Sequence, residues 1–118
     1  MEVSTRKEER FCVIRVDAPR IDAAGALAFK DAMRRETREA PQTVVLDLSA
    51  VTFIDSSGLG AIVATMKLLA PERKLVLAGP TPAVERVFRL TRMHTVFDLH
   101  PTLAAALESL DTAAAARG

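Results

Sequence analysis

The sequence predicts a single α/β domain with a mostly parallel sheet, on three observations. From Thr43 onward, short apolar runs alternate with helical stripes, a pattern that calls for crossover connections between parallel strands. The run Val44-Val45-Leu46-Asp47-Leu48 is nearly continuous in apolar character, as suits a strand covered on both faces. The chain has 118 residues, enough to bury one core and too few for two.

The elements follow in order. Residues 10–17 are rich in β-branched and apolar residues and stop at Ala18-Pro19, where a missing N–H ends sheet pairing. They predict a strand, paired with the weaker segment 2–6. Asp22 offers an N-cap to a helix over about residues 23–38, with Ala26, Phe29 and Met33 on one stripe. Residues 43–48 form the central strand. Leu59, Ile62, Val63, Met66 and Leu69 then repeat at helical spacing, and Pro71 closes that helix.

Residues 74–78 are the next strand, broken by Gly79-Pro80. Thr81-Pro82 starts a helix to about residue 91, through Val84, Val87 and Phe88. Residues 96–99 read as a short strand. Pro101 opens a last helix with Leu103, Leu107 and Leu110 inward, and the Ala-rich tail from residue 111 is expected to fray. Phe29, Met33, Leu59, Val63, Met66 and Phe88 are the expected core.

Composition excludes several classes of function. Sixteen basic and fifteen acidic side chains nearly cancel and are interleaved, so no one-signed face for a polyanion stands out. Trp and Tyr are absent, which removes the best stacking platforms for single-stranded nucleic acid. Cys12 is alone and lies in an apolar run, the pattern of an inert packed thiol in a reducing compartment. The N-terminus is charged and has no long apolar stretch, so neither a signal peptide nor a membrane span is expected and cytoplasmic residence follows.

Asp55-Ser56-Ser57-Gly58-Leu59-Gly60 lies where Val51-Thr52-Phe53-Ile54 gives way to the second helix. The first N–H groups of that helix lack intrahelical acceptors and carry partial positive charge. Asp55 or Ser56 can cap them, and Gly58 and Gly60 keep the surface free of bulk. These residues suit two roles: capping and tight packing alone, or close approach by a partner.

The whole segment from Val44 through Leu48, Ser49 and Phe53 to Gly60 closely resembles the signature of STAS domains, in particular of bacterial anti-sigma factor antagonists. The resemblance extends over residues 9–110. It implies one STAS-like domain at residues 1–110, with a four- to five-stranded mixed sheet and about four helices, followed by the tail at 111–118. It further implies that a serine-kinase anti-sigma factor, which itself binds the ATP, phosphorylates Ser56, and that a serine phosphatase resets it. Asp22, Asp55, Ser56, Ser57, Gly58 and Leu59 then form the partner-binding set, with Asp22 matching the family's aspartate at the start of the first helix. Three residues earlier the family commonly has glycine, whereas this chain has Pro19, whose φ is fixed near −65°.

No catalytic group, cofactor or metal is expected. The only histidines, His94 and His100, lie in the distal third, far in sequence from Ser56 and Ser57, so no base is evident for a nucleophile. Gly58-Leu59-Gly60 lacks the third glycine of a dinucleotide fingerprint, and no phosphate-loop ending occurs. Cys12, His94 and His100 match no zinc spacing. Asp47 reads as a strand-edge or hydrogen-bonded residue rather than an acid/base partner of Asp55. The expected function is that of an anti-sigma factor antagonist that holds its kinase partner when Ser56 is unmodified. The alternatives are an unmodified scaffold or transport-associated STAS subunit, and a weak nucleotide-binding protein.

Overall fold

The computed structural model describes residues 1–117, with side chains through Asp111. The chain opens with β1 (Val3–Lys7), β2 (Phe11–Val16) and the two-residue β3 (Arg20–Ile21), then α1 (Ala26–Glu36). β4 (Thr43–Asp47) and the two-residue β5 (Phe53–Ile54) lead into α2 (Ser56–Leu69). β6 (Lys74–Ala78), α3 (Pro82–Leu90), a 3-10 turn (Met93–Thr95), β7 (Asp98–His100) and α4 (Leu103–Arg117) complete it. The expected tail at 111–118 falls on residues whose side chains, and for Gly118 the backbone, lie outside the described ones.

The main sheet has five strands in the order β1-β2-β4-β6-β7. β1 and β2 are antiparallel and every other pair is parallel, so the predicted mixed, mostly parallel sheet is the one observed. β4 lies at its centre, as its apolar run requires. Side chains alternate along each strand. Cys12, Ile14, Val16, Val44, Leu46, Leu75 and Leu77 therefore meet α1, α2 and α3 through Phe29, Met33, Ile62, Leu69, Val84 and Phe88. Val13, Val45, Val76 and Ala78 point to the opposite face and meet α4.

Four local expectations are corrected. A second sheet, β3 paired in parallel with β5, is present; two-residue strands are too short for a periodicity to reveal them. α1 starts at Ala26 with Gly25 as N-cap, and Asp22 instead caps the turn before it, accepting the Gly25 N–H at 3.1 Å. The seventh strand begins at Asp98, two residues after the expected start at residue 96, because Phe97 is drawn into the core edge-on to Phe88, ring centroids 5.8 Å apart.

The fourth correction concerns the face of α2. Phe29, Met33 and Phe88 are fully buried as expected, while Leu59, Val63 and Met66 are half-buried at the margin. The inward stripe runs through Gly58, Ala61, Ile62, Thr65 and Leu69. Small residues on that stripe let α2 lie close to the layers it packs against, which leaves its larger side chains on the flanks.

Candidate functional site

The site is built on the β3–β5 ribbon. Arg20 lies opposite Phe53, and Ile21 opposite Ile54. The two isoleucines are buried and anchor the ribbon to the core. The Pro19 carbonyl accepts hydrogen bonds from the Thr52 N–H (2.8 Å), the Phe53 N–H (3.1 Å) and the Thr52 hydroxyl (3.1 Å). Pro19 thus serves through its carbonyl, the one polar backbone group it retains.

β5 delivers Asp55 to the N-cap of α2, in extended conformation. One carboxylate oxygen, Oδ1, accepts the Gly58 N–H at 2.9 Å, and the other, Oδ2, accepts the Ala23 N–H at 3.0 Å. The capping chemistry read from the sequence is therefore only half of its role. Asp55 also ties the turn before α1 to the start of α2, across 32 positions of sequence.

Ser56 and Ser57 are the first two residues of α2 and both are exposed. No described residue makes a hydrogen bond to either hydroxyl. Gly58, expected at the surface, is buried: a Cβ there would lie 1.9 Å from the Ile21 carbonyl oxygen. It is the point where α2 crosses the β3 backbone. Leu59 is half-buried against the core, and a Cβ on Gly60 would meet only open space.

Asp22 stands beside this turn with both oxygens engaged, Oδ1 by the Gly25 N–H at 3.1 Å and Oδ2 by Arg20 Nε at 3.1 Å. The Arg20 guanidinium, followed by the Gly25 N–H, holds its carboxyl below the ordinary carboxylate range. Arg20 in turn lies over the Phe53 ring, 4.0 Å from guanidinium carbon to ring centroid. The structure thus brings Asp22 and Asp55 together on either side of the Ala23 turn and sets Ser56 and Ser57 next in line. Arg20, Phe53 and Ala23 escaped the sequence reading. Their only sequence signal is the register of the short parallel ribbon, which no local pattern reports.

The other groups weighed in the sequence lie elsewhere. Cys12 is buried, and desolvation pushes its thiol up. Asp47 is buried at the end of the central strand β4 and accepts the Ser49 N–H at 2.9 Å, a hydrogen-bonded role and not a strand-edge one. His94 belongs to the 3-10 turn, and His100 ends β7 beside Asp98 at 2.9 Å. Among the described residues no group of three His, Cys, Asp or Glu side chains could hold a metal ion, and no helix is long and apolar enough to cross a membrane.

A free serine hydroxyl at the first position of a helix is well placed to take a phosphate. The N-terminal N–H groups and the dipole of the 14-residue α2 favour negative charge there.

Comparison with known proteins places this architecture. The STAS domain family model matches residues 2–106, and the chain belongs to that family. Among its relatives is the anti-sigma-B factor antagonist of Listeria monocytogenes, 33% identical over 85 residues that span 70% of this chain and 73% of that protein. The crystal structure of an anti-sigma factor antagonist from Mycobacterium paratuberculosis is 31% identical, covers 92% of each chain and superposes with a TM-score of 0.81. SpoIIAA of Bacillus, an anti-sigma factor antagonist, shares the fold: its unphosphorylated form gives a TM-score of 0.72 at 19% identity, covering 94% of this chain and 97% of that one.

Proposed function

We propose that this protein is an anti-sigma factor antagonist, a non-enzymatic, cytoplasmic binding module switched by phosphorylation of Ser56. The observation that carries the reading is the exposed Ser56 on a turn whose backbone is held from two sides by the Asp55 carboxylate. A hydroxyl free of internal hydrogen bonds on a rigid turn is accessible to a kinase. Asp22, Ser57 and Leu59 surround it and supply the docking face, while Asp55 and Gly58 set its shape.

Unmodified, the face binds a serine-kinase anti-sigma factor and keeps it from its sigma factor. ATP belongs to that partner. Transfer of the γ-phosphoryl group of ATP to the Ser56 oxygen breaks the β–γ phosphoanhydride and the Ser56 O–H bond, releases ADP and a proton, and adds about −1.5 to −2 charges at pH 7. The charge desolvates poorly against a surface shaped for a hydroxyl, and the complex separates. A serine phosphatase hydrolyses the phosphoester and restores the binding form.

Reconstitution with the kinase that the wild-type protein retains from its native cytosol tests this reading. After incubation with ATP, phosphopeptide mapping is expected to find the group on Ser56. Ser56→Ala should accept none yet still bind, and Ser57→Ala should be modified normally. Phosphate on Ser57, or on neither serine, would favour the unmodified scaffold instead.

A further inference from the structure

One edge of the main sheet is open along a regular strand. β1 pairs with β2 alone, and among the described residues no strand lies on its other side. Its register runs without interruption from Val3 opposite Val16 to Lys7 opposite Cys12, and it contains no proline. The strand thus lacks the bulge or proline that commonly blunts an edge.

The ladder fixes where each backbone group points. The Asp17 N–H donates to the Glu2 carbonyl and the Glu8 N–H to the Phe11 carbonyl, each at 2.9 Å. Residues that exchange such bonds alternate along an antiparallel pair with residues that do not. Glu2, Ser4, Arg6 and Glu8 therefore direct their N–H and C=O groups at β2, and Val3, Thr5 and Lys7 direct theirs outward. The side chains alternate too: Val3 and Thr5 are half-buried on the α1 side, where Thr5 bonds Glu36, while Glu2, Ser4 and Arg6 are exposed on the opposite face.

Residues opposite one another in a ladder share a face, so a second copy related by a two-fold axis perpendicular to the sheet can pair only in registers centred on a residue. Centring on Thr5 sets Glu2 against Glu8, and centring on Arg6 sets that arginine against itself. Centring on Ser4 sets Glu2 against Arg6 twice over, and Val3 against Thr5. Unlike charges and β-branched pairs directly opposite favour pairing, and like charges oppose it. Glu2 has no partner among the described residues, and the end of the strand it would meet, Arg6-Lys7-Glu8-Glu9-Arg10, is positive in sum.

We propose that β1 is the docking edge for a second copy of this chain, paired antiparallel about Ser4 so that the sheet continues across the dimer. Val3 and Thr5 exchange N–H···O=C bonds with Thr5 and Val3 of the other copy, and Lys7 falls at the end of the ladder opposite Met1. A five-residue edge offers less contact than the roughly 1,600 Å² of a standard interface, so the dimer is weak, with a Kd on the order of 10–100 μM. The proposal is independent of the chemistry at Ser56.

Sedimentation equilibrium and amide exchange of the full chain, from about 10 μM to about 1 mM, test it. The apparent mass is expected to rise toward that of two chains. The outward Val3 and Thr5 amides should gain protection with it, while those of Ser4 and Arg6, bonded to β2, are protected throughout. Glu2→Arg and Arg6→Glu, both at exposed positions, should each weaken self-association about tenfold. An equimolar mixture of the two variants, in which unlike charges face each other again, should associate as the wild type does. A single-chain mass at the highest concentration, or association that leaves the Val3 and Thr5 amides unprotected, would overturn the proposal. Equal association by both variants would overturn the register, as would tighter association by Glu2→Arg, which would then oppose Glu8. If a variant fails to fold, the mass and the amide protection of the wild type decide.

Discussion

At the scale of single residues, Asp55 and the two glycines of the turn show how far chemistry depends on position. A helix N-cap needs one acceptor oxygen, and Ser, Thr or Asn would supply it. Asp55 uses two, one for each of two backbone segments. Asp55→Asn retains a single acceptor, so it is expected to lose about 1 kcal/mol of stability. Amide exchange at Ala23 or Gly58 should accelerate, a change that NMR reads directly. Gly58 and Gly60 look equivalent in sequence and are opposites in space. Gly58→Ala drives a methyl into the Ile21 carbonyl and is expected to cost about 1–3 kcal/mol or more. Gly60→Ala meets open space in a helix and should stabilise by roughly 0.5–1 kcal/mol. Urea unfolding of the two variants checks the opposite signs. The cap at Asp55 was legible because capping is a local rule. The Ala23 bond and the Arg20–Phe53 stack were not, because each joins segments more than thirty positions apart.

At the scale of elements, the edge strand β1 is held by carboxylates as well as by its ladder. Asp17 accepts from the Ser4 hydroxyl and from Arg15 Nε, the latter at 2.7 Å, and Glu36 of α1 accepts from the Thr5 hydroxyl at 2.7 Å. The Ser4 bond is the first cause that lowers the Asp17 carboxyl, and the Thr5 bond the first that lowers Glu36. A carboxyl lowered in the folded state leaves the unfolded chain with more bound protons in acid, so stability rises with pH there. The contribution is complete above the ordinary carboxylate range and is lost as pH falls through the lowered folded values. Amides of β1 are therefore expected to lose exchange protection before those of β4 on acidification. Asp17→Asn combined with Thr5→Val should flatten that dependence; an unchanged acid profile would remove these bonds from the explanation. Strands β2 and β6 were legible because an apolar run closed by Pro or Gly has few other readings, and β4 because its apolar run is nearly continuous. The start of β7 was misplaced, since Val96-Phe97 carries strand composition while Phe97 serves as a core anchor.

At the scale of the whole molecule, the sheet works as a platform with its two faces used differently. Helices α1, α2 and α3 bury one face and α4 the other. The β3–β5 ribbon then gathers the loop before α1 and the start of α2 into one end of the domain. Alternation of strands and helices made that architecture legible. The proposed docking face was legible as a motif and not as a surface, because the β3–β5 ribbon and the Asp55–Ala23 bond that shape it join segments distant in sequence. A phosphate at the start of α2 meets favourable partial charge, so the free phosphoprotein is expected to melt no lower than the unmodified protein. Calorimetry distinguishes such a binding switch from an unfolding one. Titration of the purified kinase with protein phosphorylated fully on Ser56, beside the unmodified protein, is the most direct test of the proposed switch. The phosphorylated form is expected to bind about a hundredfold more weakly, the equivalent of roughly 3 kcal/mol, and equal affinity of the two forms would contradict it.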